Sequence, residues 1–191
     1  MQKLKLIVKY LISMTSEPGQ FWGYLAKDKD QMSKPEFMQN NVFLPYLGMM
    51  ALALFVIAGL SGEGIFDLQH AMTYMVPRLV AYFVGPYIAM FLLKEALPLV
   101  FGVPAPNRDR LQLYVFYSTG FLMLVEIFVA MVPSIKFLQL ASYYLIFITW
   151  NGAFTLIRVE EKKRWIFGFV AFLVIYFAPS LVKDFVIFMQ R

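Results

Sequence analysis

Apolar residues run through this chain in long blocks with short polar interruptions. Five blocks, at about 42–60, 71–93, 113–132, 135–157 and 165–189, are nearly free of charge. A bilayer core about 30 Å thick asks for roughly 20 mostly apolar residues in a helix, and each block meets that length. The breaks are polar, glycine-rich or proline-rich: Ser61-Gly62-Glu63-Gly64, then Pro104-Ala105-Pro106-Asn107-Arg108-Asp109-Arg110, then Arg158 through Arg164. Only Pro133-Ser134 separates the third block from the fourth, which predicts a tight antiparallel hairpin. The pattern therefore predicts an all-α, polytopic integral membrane protein of five transmembrane helices.

Ahead of the first block the period changes. Gln2, Lys5, Lys9 and Ser13 fall on one face of a helix, and Leu4, Ile7, Val8, Leu11 and Ile12 on the other. This predicts a short amphipathic helix lying in a headgroup layer, with Lys5 and Lys9 toward anionic lipid. Lys9 cuts the apolar run short of a signal-peptide core, and no small-residue cleavage site follows. After Pro18, Phe21, Trp22 and Leu25 stand beside Lys27-Asp28-Lys29-Asp30, so Trp22 reads as an aromatic contact to lipid headgroups. Ser33-Lys34-Pro35-Glu36 has the spacing of a capping box and predicts a helix that feeds the first span. Residues 1–41 thus form an N-terminal segment and 42–191 a five-helix transmembrane bundle, with no internal repeat and no separate soluble domain.

Composition agrees. The chain is 60% hydrophobic and 15% charged, whereas soluble domains hold about a quarter charged residues. The placement of Lys and Arg matters more than the net charge of +5. Thirteen basic residues lie in the N-terminal segment and the even loops, against two in the odd loops and the C-terminal tail. The bias holds at every crossing and predicts a cytoplasmic N-terminus and an outer C-terminus.

Little here suits catalysis. There is no cysteine and one histidine, His70, so thiolate chemistry and a multi-histidine metal centre find no residues. No phosphate loop, nucleophile elbow or zinc-histidine pair is present. The reading is non-enzymatic, without cofactor, metal or nucleic-acid partner. Membrane lipids are the expected partners, and a second copy or other membrane proteins remain open ones. The sharpest clue is charge inside the spans, which costs about 2.5–3.5 kcal/mol per residue at mid-helix. Arg78, Glu126, Lys183 and Asp184 come from three spans and lie roughly 7–11 Å below the outer boundary at 1.5 Å per residue. Arg78 and Glu126 form the natural pair. Either the charges fix helix packing, or they line a crevice open to the outside, as in a small transporter or channel. Pro77, Gly85 and Pro86 in the second span and Pro179 in the fifth predict helix kinks. Trp150 and Asn151 read as hydrogen-bonding residues between helices.

The layout resembles the Yip family of Ypt/Rab-interacting membrane proteins, in its prokaryotic branch. The likeness rests on the order of short elements: Pro18 with Trp22, Phe43-Leu44-Pro45, Tyr114-Val115-Phe116-Tyr117-Ser118, Val132-Pro133 before Tyr143-Tyr144-Leu145, and Glu160-Glu161-Lys162-Lys163. The eukaryotic motifs are represented only by Leu44-Pro45-Tyr46 and Tyr117-Ser118-Thr119-Gly120. The resemblance implies a membrane-embedded helical bundle, a role in organising or shaping membrane, and for a bacterial member an inner-membrane location.

Overall fold

The computed structural model describes residues 12–27, 31–61, 66–102, 107–132 and 136–189. The face built on Lys5 and Lys9 and the Pro133-Ser134 turn lie outside these residues. Residues 12–16 are helical, and helix α1 (Pro18–Leu25) follows. A 3-10 turn (Gln31–Ser33) leads to α2 (Pro35–Met38), a π-helical turn (Gln39–Phe43) and α3 (Leu44–Gly59). Next come α4 (Leu68–Phe101) and α5 (Arg108–Met131). A 3-10 stretch (Lys136–Tyr144), α6 (Leu145–Thr155) and α7 (Glu161–Met189) complete the chain. The described residues form no strand.

Four helical runs are long and apolar enough to cross a membrane: Pro35–Gly59, Leu68–Val100, Arg108–Met131 and Glu161–Met189. Four of the five apolar blocks thus become long helices. The block at 135–157 differs, because residues 136–144 wind as a 3-10 helix before an 11-residue α-helix. Large side chains stand exposed along the long helices, among them Leu52, Phe91, Leu181 and Phe185. In water that much bare apolar surface would be unusual, and in hydrocarbon it costs nothing.

Helix α4 packs most extensively on α7, and also against α3 and α5, while α6 lies on α7. Gly85 sets the α4–α7 crossing: a Cβ there would come within 2.9 Å of Pro179, so glycine lets the two backbones touch. Helix α4 runs through Pro77, Pro86 and Pro98, and α7 through Pro179. Asp67 starts α4 by accepting the His70 N–H at 2.8 Å.

The N-terminal segment is part of the bundle. Trp22 is fully buried rather than at a headgroup surface, which corrects its reading as an interfacial residue. Its ring lies in a cleft opened by Gly152, where a Cβ would fall 2.9 Å from the indole and within 2.8 Å of the Tyr114 ring. The indole Nε1–H donates to the Ile148 carbonyl at 2.9 Å, and Tyr114 and Tyr117 pack around it. Tyr144 donates to the Thr15 carbonyl at 2.7 Å and Tyr117 to the Met32 carbonyl at 3.2 Å, so the segment is tied down at three points.

Ser33 does not cap the helix after it. Pro35 occupies the first turn and forces the residue before it to be extended, so Lys34 becomes the cap position (φ −92°, ψ 124°). Asn151 bonds within its own helix, to the Phe147 carbonyl. The interhelical bond comes instead from Thr149, whose hydroxyl reaches the Gly168 carbonyl of α7 at 3.1 Å.

Candidate functional site

A polar cavity of ≈ 330 Å³ lies among α4, α5, α7 and the 3-10 stretch. Each element contributes a stripe set by its own period. On α4, Tyr74, Arg78 and Tyr82 recur every four residues; on α7, Tyr176, Ser180 and Lys183 do much the same. Helix α5 brings Leu122, Val125, Glu126 and Val129, and the 3-10 stretch adds Gln139 and Ser142.

The charges at its centre are paired. Arg78 Nε donates to Glu126 Oε1 at 3.2 Å, with the two side chains 21% and 31% exposed. The guanidinium also donates through Nη1 to the Tyr74 carbonyl at 3.0 Å and lies 3.6 Å above the Tyr74 ring. An ion pair, a carbonyl bond and a cation–π contact thus hold one planar group in a fixed pose. Lys183 lines the same cavity, 3.8 Å from the Asp184 carboxylate.

Of the four intramembrane charges, Arg78, Glu126 and Lys183 meet. Asp184 does not join them: one residue on along a helix turns its side chain about 100° away, and it is 71% exposed. The tyrosines and serines escaped the sequence reading. Their signal is the i, i+4 recurrence of polar groups in otherwise apolar helices, flanking Arg78 and preceding Lys183.

Two cations and one carboxylate line the cavity, the Asp184 carboxylate stands 3.8 Å from Lys183 outside the lining, and the tyrosine and serine hydroxyls add neutral donors. That set suits a small anion or an anionic solute. Among the described residues no group of three His, Cys, Asp or Glu side chains converges to hold a metal ion. On the opposite face of the α4–α7 pair, a groove of ≈ 650 Å³ is wholly apolar, lined by residues such as Ile88, Leu92, Phe177 and Leu181. One helix pair thus presents a polar wall to the bundle interior and an apolar wall outward.

Comparison of the chain with known protein families, with curated proteins and with solved structures finds no match.

Proposed function

We propose that the protein is a non-enzymatic, five-crossing integral membrane protein that admits a small anion or anionic solute from the outer side, in the manner of a transporter or channel. The supporting observation is the polar cavity, where Arg78, Glu126 and Lys183 meet within helices otherwise built for lipid. A charge at that depth is costly unless it is paired or wetted. Arg78 and Glu126 satisfy each other, and Lys183, whose 3.8 Å contact is to the largely exposed Asp184, is the cation able to meet an incoming anion.

The fifth crossing is the stretch 136–155. A 3-10 helix rises about 2.0 Å per residue and an α-helix about 1.5 Å. Nine residues of the first and 11 of the second reach roughly 34 Å, enough for a bilayer core. With five crossings, the Lys and Arg bias supports a cytoplasmic N-terminus and an outer C-terminus, and the resemblance to the prokaryotic branch of the Yip family implies a bacterial inner membrane. The cavity then opens on the outer side, because Glu126 and Lys183 lie near the outer ends of α5 and α7.

A second reading is a membrane-organising scaffold of Yip type. It draws on the docking of the N-terminal segment, where Met14 and Trp22 are buried and Tyr144 holds the Thr15 carbonyl. Such a junction would transmit the pull of an interfacial helix to the bundle.

Flux separates the two. In proteoliposomes offered chloride, nitrate, bicarbonate or acetate, the wild type should pass at least one anion faster than protein-free liposomes do. Lys183→Gln should lower that flux about tenfold, the loss of one charge-assisted contact, with an unchanged gel-filtration profile. No flux from the wild type rejects the transport reading and favours the scaffold.

A further inference from the structure

Where α6 ends and α7 begins, a cation sits among aromatic rings on the outer surface. Gly168 lets the two helices touch there, since a Cβ would fall 3.0 Å from the Trp150 Cα. Trp150 and Phe154 are one turn apart on α6 and stand 39% and 50% exposed. Trp165 of α7 meets Trp150 edge-on, with ring centroids 5.9 Å apart. Arg164 lays its guanidinium 3.6 Å over the Phe154 ring. We propose that this patch binds an anionic phospholipid, whose phosphate meets Arg164 and whose acyl chains run along the rings toward the membrane centre.

The Arg164 charge is oriented but not neutralised by the protein. The ring contact fixes the plane of the guanidinium. No carboxylate among the described residues pairs with it, and its Nε bonds to nothing there. Arg164 is also the last charge before a long apolar run, since the next along α7 is Lys183. That places it at a boundary between water and hydrocarbon, the level at which tryptophan rings and phosphates sit. In the orientation proposed above the boundary belongs to the cytoplasmic leaflet, which is rich in anionic lipid.

Below the cation, Phe147 of α6 and Phe169 of α7 continue the bare apolar surface. A cation directly above exposed rings matches an amphiphile with an anionic head. A free anion would leave the rings uncovered. A second copy related by a two-fold axis along the membrane normal would set the same cation at the same depth, against its like.

Tryptophan fluorescence of the full chain in dioleoyl phosphatidylcholine vesicles tests this. Graded fractions of the lipid are replaced by brominated phosphatidylglycerol or by brominated phosphatidylcholine, whose bromines quench the rings they touch. Trp22 is fully buried and serves as a constant background. In the wild type, half-maximal quenching should need about a tenfold lower fraction of the anionic lipid, the worth of one charge-assisted contact. Arg164→Gln should bring the two curves together, and Arg164→Lys, which keeps the charge without the planar fork, should fall between. Lys162→Gln removes an equal charge about 200° around the helix and should keep the wild-type preference. Equal quenching of the wild type by the two lipids overturns the proposal, whether or not the variants fold. So does an Arg164→Gln protein that keeps the preference, or a Lys162→Gln protein that loses as much as Arg164→Gln. The site requires only that the helices lie in lipid, so a wild type without anion flux leaves it standing.

Discussion

Trp22→Ala should lower the unfolding free energy by about 3–5 kcal/mol, the range for truncating a large buried aromatic. The indole is 0% exposed and packs on Tyr114 and Tyr117 with tilted and edge-on geometry. It also makes a hydrogen bond that spans 126 positions of sequence, to the Ile148 carbonyl. Trp22→Phe keeps most of the packing and gives up the N–H, so it should cost about 1 kcal/mol for the bond and somewhat more for the smaller ring. Thermal melts in detergent, followed by circular dichroism, report both. A Trp22→Ala melt within about 2 °C of wild type would show that the N-terminal segment is not docked, since a loss of this size corresponds to roughly 10 °C for a chain of this length.

The second large effect belongs to the ion pair. Glu126→Ala leaves Arg78 in the cavity wall with its carbonyl and ring contacts but without its counter-charge. Breaking a fully buried pair costs about 3–5 kcal/mol. Both side chains here keep part of their surface exposed, so about 2 kcal/mol is the appropriate expectation. Arg78→Ala with Glu126→Ala should be no less stable than Glu126→Ala alone, giving a coupling of about 1–2 kcal/mol in a double-mutant cycle. Glu126→Gln, which keeps an acceptor at the Arg78 Nε–H, should fall between wild type and Glu126→Ala. Strictly additive single-mutant losses would mean that the 3.2 Å contact contributes nothing to the fold.

The long helices were legible in the sequence because the bilayer imposes a length that composition reveals directly. The meeting of Arg78 and Glu126 was legible too, from equal depth below one boundary. What sequence hid was direction. Lys183 and Asp184 are neighbours in the chain, and only the rotation of α7 decides that the first lines the cavity and the second does not. Winding was hidden as well: residues 136–144 fall in an apolar block of span length and form a 3-10 helix, and composition does not tell an i→i+3 bonding pattern from an i→i+4 one. Trp22 misled because a tryptophan beside a charge run fits a headgroup layer, and the cleft that takes it is made by Gly152, far along the chain. Ser33 misled for a local reason, the demand that Pro35 makes on the residue before it.

Cysteine labelling tests the central claim, that helices embedded in lipid enclose a wetted, polar cavity open to the outer side. The chain has no cysteine of its own, so single substitutions report without background. Ser180→Cys places a thiol in the cavity wall, and Leu181→Cys places one in the apolar groove a single residue away. A negatively charged, membrane-impermeant methanethiosulfonate added to intact cells meets only thiols in water, where the reactive thiolate forms. The account predicts that Ser180→Cys is modified at least about tenfold faster than Leu181→Cys, given that contrast in thiolate formation. Equal rates at the two positions, or modification of Ser180→Cys only in inverted vesicles, would contradict it.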